Sequence, residues 1–263
     1  MDLELTGKVA IVTGGSRGIG KAIARELALE GMDVAIVARN KAALDAAAKE
    51  LAAESGRRIV PLVADTSLTP QVDRMVEEAL AALGHVDVLV NNAAIVGGVP
   101  AGDIATVDEA ALLGDINTKF LGYMRCARAV VPHMKGRGWG RIINIGGGSY
   151  SHSGSLAGAR NAAVVHLTKT LSDMLGPHGI TVNVIHPGLT ATGDTGHLAE
   201  QARKQGTTAA ELMKKMGANH AIRRVVDARE IAYVAAFLAS PKSGAITGEG
   251  IVASGGGTRA VRY

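Results

Sequence analysis

Residues 8–20, KVAIVTGGSRGIG, decide the fold. Lys8 to Thr13 is a short apolar run of strand type. Gly14, Gly18 and Gly20 follow in a G-x-x-x-G-x-G spacing, and Ile23, Leu27 and Ala28 open a helical pattern directly after. Strand, glycine-rich turn and helix in this order form a cradle for a dinucleotide pyrophosphate. Glycines permit the tight turn and the close approach of backbone to phosphate. The helix N-terminus offers free N–H groups and the positive end of its dipole.

Outward from this stretch, strand and helix patterns alternate. Strands are expected over 33–38, 58–63, 86–91, 140–145, 180–186 and 250–253. Helices are expected over 42–54, 69–83, 107–134, 159–175 and 227–240, with one or two more over 194–217. Thr69 is read as an N-cap with Pro70 at the first helical position. The strands are continuous apolar runs, such as DVAIVA at 33–38 and VDVLVN at 86–91, and do not alternate. That pattern belongs to a parallel sheet covered by helices on both faces. The expected fold is therefore α/β, a Rossmann-type doubly wound parallel sheet of seven strands. No linker or low-complexity tract divides residues 1–263, so one domain is expected, with a lid at about 190–220.

The bulk composition narrows the function classes. Aromatics make up 3% of the 263 residues against 47% hydrophobic residues, so small aliphatic side chains fill the core. The net charge of +4 is spread along the chain, without a dense Lys/Arg block, which argues against nucleic acid as a partner. Cys126 is the single cysteine, so an internal disulfide is impossible, and a reducing cytoplasm is the expected location. No signal peptide or membrane-spanning run is read. His85, His133, His178 and His220 lack metal-ligand spacing, and no metal is expected.

Cofactor choice is read at the end of the second strand. An acidic residue there favours NAD through the adenosine ribose. This chain has Arg39 and Asn40 instead, and Arg17 within the glycine turn. Two cations suit a 2′-phosphate, so NADP(H) is expected in preference to NAD(H). Asp65, followed by Thr66 after the third strand, accepts from the adenine amino group or caps the next turn.

The chain resembles the short-chain dehydrogenase/reductase family over essentially its whole length. The resemblance rests on TGGSRGIG at 13–20, Asp65, NNAA at 91–94, DINTKF around Asn117, RIINI at 141–145, AAVVHLTKTLS at 162–172 and NVIHPGLTAT at 183–192. It implies that Gly14, Ser16, Arg17, Gly18, Ile19 and Gly20 cradle the pyrophosphate. Asn91 and Ala93 then pack around the adenosine half, and Pro187, Gly188 and Thr192 hold the nicotinamide carboxamide. It further implies a small-molecule substrate and a homotetramer or homodimer.

The family's catalytic residues do not carry over. Its members place a tyrosine and a lysine at i and i+4 on the helix after the fifth strand, on one face. Those positions fall on Ala157 and Asn161, and the family's serine falls on Gly147. Asn161 can bond a ribose hydroxyl but brings no charge, and Ala157 exchanges no proton. The replacement candidates are Asn117, in the family's proton relay, and Ser149, Tyr150 and His152 in the loop GGGSYSHSGS. Arg160 is a candidate cation if it faces inward, and His186 stands just before Pro187-Gly188. Leu198 to Met216 is read as a lid. Two functions follow. One is an NAD(P)(H)-dependent oxidoreductase acting on a carbonyl or alcohol with an atypical proton donor. The other is a non-catalytic dinucleotide-binding protein, a sensor or the silent partner of an active subunit.

Overall fold

The computed structural model describes residues 1–95, 98–99, 103–151, 155–193 and 196–257, the side chains of 196–198 and 201 excepted. Its elements run β1 (Val9–Thr13), α1 (Gly18–Leu29), β2 (Asp33–Ala38), α2 (Lys41–Ser55), β3 (Ile59–Val63), α3 (Thr69–Leu83) and β4 (Val88–Asn91). Then come α4 (Glu109–Ile116), α5 (Gly122–Arg137), β5 (Gly140–Ile145), α6 (Ala157–Leu175) and β6 (Ile180–Pro187). The chain continues with β7 (Thr190–Ala191), α7 (Gly196–Lys204), α8 (Ala209–Gly217), β8 (Val226–Asp227), α9 (Ala228–Ala239) and β9 (Gly250–Ala253).

Seven strands form one parallel sheet in the order β3-β2-β1-β4-β5-β6-β9. Alternate residues of each strand feed opposite layers, as the period of two requires. Ala10, Val12, Val34 and Ile36 pack with α1, α2 and α9. Val9, Ile11, Ala35 and Val37 pack with α3 and α5. This explains the unbroken apolar runs of the central strands, neither face of which meets water, while the edge strands β3 and β9 keep partly exposed positions. Strand order reverses between β1 and β4, which opens a crevice at their carboxyl ends.

Three local expectations are corrected. Thr69 does not cap α3; its Oγ1 accepts a hydrogen bond from Arg125 Nε at 3.1 Å, and Leu68 occupies the cap position without a side-chain bond. The helix expected over 107–134 is broken into α4 and α5 by a π turn at Asn117–Leu121. There the Gly122 N–H points to Asn117 O and Lys119 O, so the ladder absorbs an extra residue and the helix face rotates. A second sheet, β7 paired with β8, was not anticipated; it ties Thr190–Ala191 to Val226–Asp227 at the base of α7 and α8.

Candidate functional site

The carboxyl ends of the sheet open into a cavity of about 1320 Å³. One end is lined by Arg39, Asn40, Asp65 and Thr66, the middle by Gly14, Ser16, Arg17, Gly18, Ile19 and Ala93, and the far end by Pro187 and Leu189 to Gly193. Ile145, Gly146, Lys119 and Arg160 complete the inner wall, and Met213 and Met216 of α8 cover it.

The glycine turn is built by backbone crowding. Gly14 and Gly18 have φ of +67° and +59°, where a side chain is strained. A Cβ on Gly20 would lie 2.3 Å from Gly14 O, so this glycine serves the closure of the turn itself. Thr13 and Asn92 lock the turn to β4. Thr13 Oγ1 accepts from the N–H groups of Asn92 (2.9 Å) and Ala93 (3.1 Å), and Asn92 Nδ2 donates to Thr13 O at 3.0 Å. No acidic side chain stands in the first turn of α1, so its positive end is uncompensated by the chain. An anion of pyrophosphate size therefore suits this cradle.

At the adenosine end, Arg39 lies 3.9 Å from Asp65 and is largely exposed. Burial alone would raise the Asp65 carboxyl, but its hydrogen bonds to Ser67 and the nearby Arg39 and Arg125 hold it below the usual carboxylate value. Asp65 Oδ1 accepts from Ser67 N at 2.9 Å, so it caps its own turn and also lines the cavity. Asn40 is likewise engaged: it caps α2 by accepting from Ala43 N at 3.0 Å. Arg17 is exposed at the mouth of the cavity.

Several residues singled out in the sequence stand away from the cavity wall. Asn91 is turned beneath the sheet, where its Nδ2 donates to Asn144 Oδ1 at 2.9 Å. Gly188 gives β9 room, since a Cβ there would meet Ser254 at 2.8 Å. Asn117 does not face the cavity; Arg125 Nη2 donates to its Oδ1 at 2.8 Å on the α3 side. Asn117 begins the π turn, and from that turn it is Thr118 and Lys119 that line the cavity.

Around α6 the candidate positions are engaged in packing. Ala157 is buried under the segment after β4: a Cβ on Gly98 would come 2.6 Å from that of Ala157, and Val99 O accepts from Ser155 Oγ and Leu156 N. Asn161 is buried and donates from Nδ2 to Ser149 Oγ at 2.8 Å. Gly147 lies against it, where a Cβ would come 2.7 Å from Asn161 Nδ2 and oblige that amide to shift. Tyr150 stacks on His186, ring centroids 3.9 Å apart, and His186 Nδ1 accepts from Gly147 N at 3.3 Å. Arg160 does face inward, but its charge is matched by Asp115 in a buried ion pair, and it also donates to Ile95 O. His152 lies outside the described residues. Cys126 is inert, with burial pushing its thiol up to about 12.

Sequence reasoning missed two cavity features. Asn92, adjacent to the chosen Asn91, holds the glycine turn, and the alternation of side chains along β4 could have distinguished them. Lys119 was passed over, although its spacing from Asp115 and Tyr123 put it on the buried stripe.

Among the described residues no helix is long and apolar enough to cross a membrane, and no group of three or more His, Cys, Asp or Glu side chains is placed to hold a metal ion.

Residues 14–258 match the family model described as enoyl-(acyl carrier protein) reductase. The chain is 37% identical to the short-chain reductase protein NovJ of Streptomyces niveus, over 94% of this chain and 93% of that protein. It is 34% identical to the 3-oxoacyl-[acyl-carrier-protein] reductase FabG of Staphylococcus epidermidis, over 95% and 98%. L-Sorbose reductase from Gluconobacter frateurii, solved with NADPH and L-sorbose, superposes with a TM-score of 0.92 at 30% identity, over 99% of this chain and 100% of that one. With the doubly wound sheet and the glycine turn already in place, these matches make the chain a member of the short-chain dehydrogenase/reductase family.

Proposed function

We propose that the chain is an NADP(H)-dependent oxidoreductase that interconverts a carbonyl and an alcohol on a small molecule. The observation that carries this reading is the single cavity running from Arg39 and Asp65, over the glycine turn, to Thr190–Thr192. Its length and lining suit a dinucleotide with its reactive ring at the Pro187 end. When bound, the dinucleotide supplies or accepts the hydride. Gly14 to Gly20 hold the pyrophosphate through backbone N–H groups. Arg39 and Arg17 pair with a 2′-phosphate, for which a fork of N–H donors is suited. Asp65, kept ionised by its neighbours, orients Arg39. Met213 and Met216 close over the reactive end and keep water out, and their flexible thioethers fit varied substrates. The relative solved with NADPH and a sugar as ligands supports this choice of cofactor and substrate class.

The test is a fluorescence titration with NADPH and NADH, followed by a panel of carbonyl compounds and alcohols. NADPH is expected to bind the more tightly. Arg39→Ala weakens NADPH about tenfold, or about 1.4 kcal/mol, and leaves NADH unchanged. Failure to bind either dinucleotide refutes the reading. Ala157 and Asn161 favour a second reading, a dinucleotide-binding subunit without its own turnover. Turnover by the pure protein excludes it.

A further inference from the structure

Among the described residues of the inner wall, Lys119 is a buried cation without a carboxylate partner, and the reading above leaves it without a task. It stands on the π turn between α4 and α5, only 4% exposed, and it lines the cavity beside Ile145 and Gly146. Its Nζ donates to Gly146 O at 2.7 Å, at the carboxyl end of β5. Of the ammonium's three protons, that bond takes one. The position is one strand away from Pro187, at the end of the cavity assigned above to the reactive ring. Burying a lysine costs several kcal/mol unless it is well paired. A carbonyl oxygen is a modest partner, so stability does not account for the placement.

Among the described residues, the ionisable groups on the elements packed around Lys119 are few. Asp115 on α4 is neutralised by Arg160 on α6. Tyr123 on α5, its ring centroid 6.0 Å from Nζ, donates its hydroxyl to Ile145 O and is held neutral by burial. Cys126 is a buried thiol, and His186 stacks with Tyr150 behind Gly146 and Gly147. None is a carboxylate left to stabilise the ammonium.

We infer that Lys119 replaces the missing tyrosine as the group that exchanges a proton with the substrate oxygen, acting from α4–α5 instead of from α6. The inference rests on the dinucleotide reading above. In reduction, the carbonyl carbon gains a C–H bond from the hydride of reduced nicotinamide. The π pair of C=O moves to oxygen, and a new O–H bond forms with a proton from Nζ. Lys119 is left as a neutral amine and recovers its proton from water; oxidation runs the same steps backwards. Burial pushes the lysine down to about 7, so both forms are populated at neutral pH, as proton exchange in either direction requires.

The experiment compares wild type with Lys119→Met and with Lys119→Gln, which retains an N–H donor for Gly146 O. Dinucleotide affinity, the pH profile of turnover and an NMR titration of the lysine Cε resonances of the free protein are measured. Wild-type reduction is expected to be fastest below pH 7 and to fall tenfold per unit well above it. Both variants should lower kcat by about 10² to 10⁴, flatten that profile and change NADPH affinity less than about tenfold. In the NMR spectrum one lysine should titrate near neutrality and vanish in both variants. The proposal is overturned if either variant keeps the wild-type rate and profile, or if no lysine titrates below pH 9. In those cases NADPH binding by wild type keeps the cofactor reading alive. If wild type binds no dinucleotide, or binds it and turns over nothing, the proposal falls together with the catalytic reading.

Discussion

The two halves of the cavity are built by different rules. In the half that spans β1 to β4, the glycine turn stands where local chain chemistry puts it: a strand ends at Thr13, glycines turn, and Asn92 fastens the turn to β4. In the half that spans α4 to α6, the positions that usually carry the chemistry are occupied by packing. Ala157 lies under Gly98, Asn161 is bonded to Ser149, and the space beside Gly146 belongs to Lys119. A loss confined to the tyrosine and lysine positions would leave holes. Here Gly98 and Ser149 lie against those positions, so the second half has contacts of its own.

Three substitutions probe this contrast. The largest expected effect is on the Asp115–Arg160 pair, which joins α4 to α6 in the second half. Asp115→Asn leaves a buried guanidinium without its counter-charge and should cost about 3–5 kcal/mol in urea unfolding. Asp115→Leu with Arg160→Met should recover most of that. A cost under about 1 kcal/mol would mean the two halves do not depend on this pair.

The next effect belongs to the conforming half. Gly20→Val drives a side chain into Gly14 O and Asn92 Nδ2, both part of the turn. NADPH affinity should fall at least about 100-fold, equivalent to about 2.7 kcal/mol, with the circular dichroism of the fold retained. Unchanged affinity would show that the turn tolerates displacement and that the contrast is overdrawn.

The smallest effect is also the most discriminating. Ala157→Tyr restores the family's residue type at a site now covered by Gly98. It should destabilise the protein by about 1–3 kcal/mol through overpacking and bring no gain in carbonyl reduction. A gain in rate would show that the segment after β4 yields easily and that the older arrangement is still accessible.

The sheet and the glycine turn were legible because they follow from local pattern: apolar runs of strand length, left-handed glycines and a helix at fixed offsets. Unbroken apolar runs made the strand assignments firm, and all seven strands begin and end within two residues of expectation. The active end was less legible because it depends on register within one helix and on contacts distant in sequence. Nothing in D-I-N-T-K-F marks the π turn over Asn117–Leu121, although the i, i+4 spacing of Asp115, Lys119 and Tyr123 does mark Lys119 as buried. The covering of Ala157 by Gly98 links residues on different elements, which propensity does not report. Thr69 was misread because its hydroxyl found a better partner in Arg125 than the helix N-terminus offered.

The short pairing of β7 with β8 has a consequence for diversification. It fastens Thr190–Ala191 to Val226–Asp227, so the intervening chain begins and ends at one clasp. Closing a loop at fixed ends costs little more when the loop grows, about 0.6 kcal/mol for a doubling of length. The 192–225 segment can therefore vary in length while the clasp stays fixed, provided its contact with the chain after β9, where Ile222 N donates to Gly255 O, is kept. A chimera spliced at the clasp is expected to keep its host's stability, which urea unfolding of the chimera would check.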